Sequence, residues 1–236
     1  MNPERIAELL TPFLETTVCG EGMRGLSEPG HVRGEQIALL SSWQLENIST
    51  YIDILVRWNS RVNLTAIRDP EKIVTRHFGE SLFVARHLFP SVSSRVTGGE
   101  VADFGSGAGF PGVPIKLWAP DIALTLIESN QKKATFLREV VRALELTGVT
   151  VQNVRAETLP VGSFDVVTLR AVERRAYVLP TAGRLLAPVG RLALLTTESQ
   201  KGPVRSALPS FSWLEPQPIP KSEARLLLIG RRTQGG

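Results

Sequence analysis

From Val101 to Gly112 the chain reads Val-Ala-Asp-Phe-Gly-Ser-Gly-Ala-Gly-Phe-Pro-Gly. An apolar, strand-like run ends at an acid, Asp103, and a turn rich in glycine follows before a helical pattern begins. Glycines let a backbone turn tightly and approach a ligand with no Cβ in the way, and open α/β sheets bind their ligands beyond the carboxyl ends of the strands. The segment therefore reads as a nucleotide-type pocket, with Gly105, Gly107 and Gly109 as its floor.

Two ligands fit that pattern. Gly107 to Gly112 spells G-x-G-x-x-G, and Glu128 stands 21 residues after Gly107, where a dinucleotide site puts its ribose-binding acid. Asp103 favours S-adenosyl-L-methionine (AdoMet) over NAD, because a carboxylate at the strand end repels a pyrophosphate but attracts an ammonium and a sulfonium. Glu128, ending the next strand, would then take both ribose hydroxyls. No second nucleotide-binding half and no hydride-transfer machinery follow. A loop that merely turns the chain is the plain alternative.

The elements that must position this loop follow from periodicity. Arg5 to Leu14 carries an amphipathic apolar stripe, and Gly20 to Gly34 has the glycine-dense, aperiodic composition of a mobile loop. Ser41 with Gln44 forms a capping box that opens a helix to about Asn59. Asp69-Pro70 starts another helix, continuous towards Phe89, in which Gly79 is a weak point. From about Gly99 strands alternate with helices. Strands are expected at Glu100 to Phe104, Ala123 to Glu128, Val149 to Val154, Phe164 to Leu169 and Arg191 to Thr196, with helices at 111–118, 131–146 and 174–187. Trp213 to Ile219 and Ala224 to Gly230 read as two final antiparallel strands, since Pro220-Lys221-Ser222 is too short for a crossover. The expectation is an α/β Rossmann-like fold: a seven-stranded, mostly parallel sheet whose last strand is antiparallel, with an N-terminal helical cap over residues 1–90 and a ligand-binding domain over 91–236.

Composition excludes several classes. Hydrophobic residues make up 42% and charged residues 21%, which excludes a wholly disordered chain, and no apolar run approaches the ~20 residues of a membrane span. The opening MNPERIAELL lacks the plan of a secretory leader, and Cys19 is the one cysteine, so a cytoplasmic protein without disulfides is expected. Lys and Arg number 27 against 23 Asp and Glu, a formal +4, a mild excess compatible with nucleic acid. His31, His77 and His87 are scattered, so no metal site is expected.

With these segments in view, the chain resembles the RsmG (GidB) family of bacterial small-subunit rRNA methyltransferases. The resemblance runs from about Leu40 to Arg231. It rests on Trp58-Asn59, Asn63 to Pro70, Arg76-His77-Phe78, the glycine loop, Glu128 to Lys133, Arg155-Ala156-Glu157 and Arg170-Ala171-Val172. It implies a class I AdoMet-dependent fold, methylation of N7 of one guanine in 16S rRNA, and a monomer acting on that RNA, the 30S subunit or an assembly intermediate. Its cofactor contacts carry over to Gly105, Phe110, Glu128, Ser129, Asn130, Ala156, Glu157 and Arg170. Departures are Leu169 where the family often has Ser, Leu195-Thr196-Thr197-Glu198 in place of a Lys-Gly, and Gly79-Glu80 in place of Leu-Asp. Methylation of another RNA or of a small molecule, and a noncatalytic RNA-binding module on this fold, are the rival functions.

Guanine N7 already offers an in-plane lone pair, so transfer to it needs positioning more than a base. Arg170, Asn63 and His77 are the positioning candidates, although His77, on a mostly apolar helix, reads as a packing residue before a catalytic one. Candidate phosphate contacts are Arg61, Arg68 and Arg76 from the cap and Lys132, Lys133, Arg174 and Arg175 near the site edge, although a charge on an amphipathic helix is often only its solvated face.

Overall fold

The computed structural model describes residues 1–15, 40–90, 99–170 and 175–233. The expected mobile loop at 20–34, Cys19, His31 and the expected domain boundary near residue 90 to 91 border on or lie outside these. Arg174 also lies outside them, as does the side chain of Arg175.

Three helical stretches precede the sheet. Helix α1, Pro3–Leu14, starts earlier than the apolar stripe because Asn2 caps it and Pro3 opens it. Helix α2, Ser42–Asn59, has the expected reciprocal capping box between Ser41 and Gln44. The single helix expected after Asp69 is broken into α3, Pro70–Ile73, a π-helical segment Val74–Gly79, and α4, Glu80–Leu88. The extra residue per turn re-aims Arg76 and His77, and π segments are frequent at functional sites. Gly79 closes that segment against α1: a Cβ there would stand 2.6 Å from carbons of the Phe13 ring.

The sheet elements are β1, Glu100–Phe104; α5, Gly112–Trp118; β2, Ala123–Ile127; α6, Gln131–Ala143; β3, Val149–Gln152; β4, Phe164–Arg170; α7, Arg175–Leu185; β5, Leu186–Thr197; α8, Glu198–Ala207; β6, Phe211–Trp213; β7, Gln217–Pro218; and β8, Arg225–Arg232. The strand order is β3-β2-β1-β4-β5-β8-β6, with β7 also on β8. The first five strands are parallel, and β8 runs antiparallel to β5, β6 and β7. Eight strands thus replace the seven expected. The run Trp213 to Ile219 pairs as two short pieces: Trp213 lies opposite Gly230 in β6, Gln217 and Pro218 pair with Leu227 and Leu226 in β7, and Pro216, which has no amide to donate, falls in the gap between them. Helix α8 is an addition, hidden in the sequence by Gly202-Pro203 in its middle and by a single fully buried residue, Val204.

Alternation along the strands separates two cores. Val101, Leu124, Leu126, Val166 and Ile229 face α5, α6 and the N-terminal helices, joining Ile6, Leu10, Phe13, Ile48 and Leu55 in one cluster. Ala102, Ile127, Val167, Leu169 and Leu194 face α7 and α8. Among the described residues no helix is long and apolar enough to cross a membrane.

An aromatic column joins the cap to the glycine loop. Phe110 lies between Tyr51 of α2, at 5.3 Å and 5° from parallel, and His77 of the π segment, at 4.8 Å and 20°. Phe78 presents its edge to both Tyr51 and Phe110. The Tyr51 hydroxyl donates to the Ala108 carbonyl, and Gly109 must be glycine there, since its φ is +82° and a Cβ would collide with that hydroxyl. Burial first, and then the guanidiniums of Arg170, Arg225 and Arg76, hold the His77 imidazole down at about 3.

Two outcomes follow from this packing. Gly79→Ala forces a Cβ into the Phe13 ring, an overpacking cost of about 1–3 kcal/mol only partly offset by the ~1 kcal/mol helix preference of alanine. Urea unfolding should show a net loss, largely recovered when Phe13→Leu is added; no loss would place the ring elsewhere. For His77 the folded protein refuses a proton that the unfolded chain accepts, so its stabilisation is present above about pH 6.5 and disappears as pH falls. Between pH 7 and 5 that loss is about 2 kcal/mol. His77→Asn should lose about that much less than the wild type over the same interval; equal losses would mean that His77 protonates freely in the fold.

Candidate functional site

The chain lays β2 and β3 on one side of β1 and β4 and β5 on the other, so the order reverses at the carboxyl ends of β1 and β4. That is where open α/β sheets hold ligands. The glycine loop leaves β1 at this point, and the Gly105 and Ser106 amides donate to the Ile127 carbonyl at 2.9 and 3.0 Å, tying it to the end of β2.

Beside the loop lies a cleft of about 320 Å³ lined by Phe104, Gly105, Ile127, Ser129, Val154, Arg155, Ala156, Glu157 and Tyr177. Gly105 has φ +69°, and a Cβ built on it would meet nothing within 4 Å. The glycine therefore bares its backbone to open space, as close approach to a ligand requires. At Gly107, φ +57°, a Cβ would meet only the Gly105 carbonyl oxygen, at 3.8 Å. The Glu128 carboxylate accepts from the Gly107 amide at 2.9 Å and from the Asn130 amide at 2.7 Å. A carboxylate has about four acceptor positions, so two are left for hydroxyls. The Asn130 side chain accepts from the Lys132 and Lys133 amides and so starts α6 at the cleft edge. Ala156 and Glu157 sit on a 3-10 turn whose Glu157 carbonyl accepts from Arg184 at 2.9 Å.

The structure thus gathers Gly105, Ser129, Ala156 and Glu157 around one cavity, while Glu128, buried between the lining residues Ile127 and Ser129, holds Gly107 beside it. Three other expected contacts, Asp103, Gly109 and Phe110, point elsewhere. The Asp103 carboxylate, 1% exposed, accepts from the Gly112 amide at 3.2 Å and from the Thr168 hydroxyl at 2.8 Å, beneath the loop and not among the residues lining the cleft. Burial raises it to about 6, against the pull of those hydrogen bonds. Phe110 is the buried middle of the aromatic column, and Gly109 carries the close approach of Tyr51. Both turn inward because the helical cap gives them something to pack on.

On the cap side of the loop stands a buried acid that sequence reasoning noted only as a departure. Glu80, 1% exposed, has Arg76 at 3.1 Å, Arg170 at 3.2 Å and Arg225 at 2.6 Å. Arg170 also donates to the Arg76 carbonyl at 2.6 Å, and its buried Nη1 has no partner among the described residues. Burial lowers Arg170 to about 10, with Glu80 opposing. The surplus positive charge suits an anion. Asn59 holds the adjoining turn, accepting from the Leu64 and Thr65 amides, and Thr65 Oγ1 lies 2.8 Å from His77 Nε2. Asn63 on that turn is exposed.

Of the cationic candidates, Arg61 and Lys132 share a groove between α2 and α6, Arg68 is exposed before α3, Lys133 is half-buried, and Arg76 is engaged with Glu80. Tyr177 and Arg155 at the cleft were missed. An aromatic residue soon after Arg170, where the fourth strand reaches the ligand edge, was the available signal for Tyr177.

Comparison with known proteins agrees with this layout. The family described as GidB, rRNA small subunit methyltransferase G, matches residues 44–222. Ribosomal RNA small subunit methyltransferase G of Halorhodospira halophila is 45% identical over 154 residues, covering 65% of this chain and 70% of that one. Its namesake in Chloroflexus aggregans is 40% identical over 202 residues, 80% of this chain and 82% of the relative. Among solved structures, a SAM dependent methyltransferase from Aquifex aeolicus superposes with a TM-score of 0.56 at 16% identity, over 72% of this chain and 97% of that one, a likeness of fold. The glycine loop, the acid at the end of β2 and the Arg170 strand all fall within the matched span, and the chain belongs to the rRNA small subunit methyltransferase G family.

Proposed function

We propose that this protein transfers a methyl group from AdoMet to N7 of a single guanine of 16S rRNA, in the small subunit or a precursor of it. The observation that carries the reading is Glu128 at the end of β2, bonded to the Gly107 amide of a left-handed glycine loop whose Gly105 opens on the cleft, in a chain of this family. The cleft and its border suit the cofactor: the Glu128 carboxylate beside it for the ribose, bared backbone at Gly105, and a recess at Ala156 and Glu157 for the adenine.

When bound, AdoMet supplies an electrophilic methyl group on a sulfonium. The chain's own residues hold and align. Glu128 offers its two remaining acceptor positions to the ribose hydroxyls, Ser129 and Asn130 border that edge, and Tyr177 covers the adenine face. Asp103 and Phe110 act from beneath, fixing the loop against α5 and against Tyr51. No side chain has to remove a proton from guanine N7, so the catalytic gain lies in orientation. Arg170, with Nη1 free for an anion, together with Asn63 and the neutral His77, stands on the cap side as the positioning group for the target nucleotide. The helices of residues 1–90 form the RNA-facing cap on a methyltransferase domain that begins after them, and the monomer works beside ribosomes in the cytoplasm.

Labelled methyl transfer into small subunits and naked 16S rRNA lacking the modification should mark one guanine at N7. No label despite measured AdoMet binding would overturn the substrate assignment. Glu128→Gln turns an amide NH₂ towards backbone N–H donors and should weaken AdoMet by about 1.5–3 kcal/mol in calorimetry; unchanged affinity would remove Glu128 from the pocket. Tyr177→Ala should cost about 1 kcal/mol of AdoMet affinity, with Tyr177→Phe restoring it. Loss in the Phe variant as well would make the hydroxyl, not the ring, responsible.

A further inference from the structure

Between α2 and α6 runs a groove of about 520 Å³, lined by Arg57, Trp58, Arg61, Val62, Lys132 and Glu139. Its one acid is already engaged: Glu139 pairs with Arg57 and accepts from the Trp58 indole N–H at 3.0 Å. Arg61 and Lys132 are exposed, make no ion pair among the described residues, and leave the groove with a surplus of positive charge.

The walls are held in place before anything binds. Arg61 sits on the turn that ends α2, where its amide donates to the Trp58 carbonyl at 2.9 Å and the Asn59 side chain fixes the following backbone. The Trp58 ring is pinned by Glu139 at its nitrogen and by Phe136 packed edge-on at 5.8 Å and 67°. A fixed aromatic plane beside two free cations is the arrangement by which proteins hold unpaired nucleotides, stacking on the base and neutralising its phosphates. Lys132 is three residues from Ser129, which lines the cofactor cleft, so the groove opens within about 11 Å of chain from that cleft. The chemistry demands the same kind of RNA: N7 lies in the deep, narrow major groove of an A-form duplex, beyond reach of side chains, so the target and its neighbours must be single-stranded.

We propose that this groove holds a single-stranded segment of the RNA next to the target base, with Arg61 and Lys132 on its phosphates and Trp58 against a base. The proposal rests on the RNA-methylating reading above. The test is binding of a single-stranded RNA of about 10 nucleotides across a salt series, beside methyl transfer to small subunits.

In Arg61→Glu with Lys132→Glu, RNA affinity should fall about tenfold or more and the salt dependence should flatten by about 1.4 log units per log unit of salt, two phosphate contacts' worth. AdoMet affinity and melting temperature should stay at wild-type values. RNA should quench tryptophan emission of the wild type and much less that of Trp58→Phe. Unchanged RNA affinity in the double variant, or no RNA binding by the wild type, overturns the groove. If the double variant binds RNA normally while the wild type methylates small subunits, the groove is wrong and the methyltransferase reading stands. If RNA binding depends on the groove but no subunit is methylated, the converse holds.

Discussion

The stacking of Phe110 between Tyr51 and His77 is the contact on which the site depends. Each such aromatic pair contributes about 0.5–1.5 kcal/mol beyond the area it buries. Here the pairs also fix geometry, because Phe110 belongs to the glycine loop and its partners to the cap. A run of three left-handed glycines is intrinsically loose. It is held by the Ile127 carbonyl and Glu128 from the β2 side, by Asp103 and Gly112 from below, and by Tyr51 from the cap. The backbone bordering the cleft is thereby preorganised, and the cap is part of the cleft's support even though none of its residues lines it.

The second constraint is the charge buried beside that column. Three guanidiniums converge on Glu80, and a buried acid that loses such partners typically costs several kcal/mol. The arginines come from the π segment, the end of β4 and the start of β8, so one carboxylate ties the cap to a parallel and an antiparallel strand of the sheet. Their excess charge also keeps His77 neutral, which lets an imidazole stack on Phe110 in a buried place without carrying charge. The extra residue in the π turn has a packing reason as well: with Gly79 facing Phe13, α1 comes close enough to close this cluster from outside.

Much of this was legible in the sequence where the cause is local. The capping residues Ser41 and Asp69, the glycine loop and the spacing from Gly107 to Glu128 each act within a short stretch, and each stands where the pattern put it. The alternation of strands and helices from Gly99 onwards is likewise written in side-chain periodicity. What was not legible depends on partners distant in the chain. Asp103 looks like a ligand carboxylate until Thr168 and Gly112 claim it, Phe110 looks like a lid until Tyr51 and His77 enclose it, and nothing near Glu80 announces Arg225, 145 residues away. The π segment is hidden for the same reason, since its apolar periodicity matches an unbroken helix until Phe13 is packed against it.

These inward turns bear on the chemistry. A site that abstracts a proton near neutral pH needs a group poised to titrate there, facing the substrate. The strongly shifted groups beside the loop do not answer that description: Asp103, near 6, is sealed beneath it, His77, near 3, stays neutral, and burial raises the Tyr51 hydroxyl so that it keeps its proton. What borders the cleft is bared backbone at Gly105, with acceptor capacity on Glu128 beside it, and on the cap side stands a buried arginine with a spare donor, the equipment for holding a ligand in one orientation. Transfer to a nitrogen that already carries its lone pair asks for that and little else. The sequence thus spends its buried polar residues on fixing the loop and the cap rather than on acid–base work, and the outward geometry at the switch point of the sheet follows from that choice.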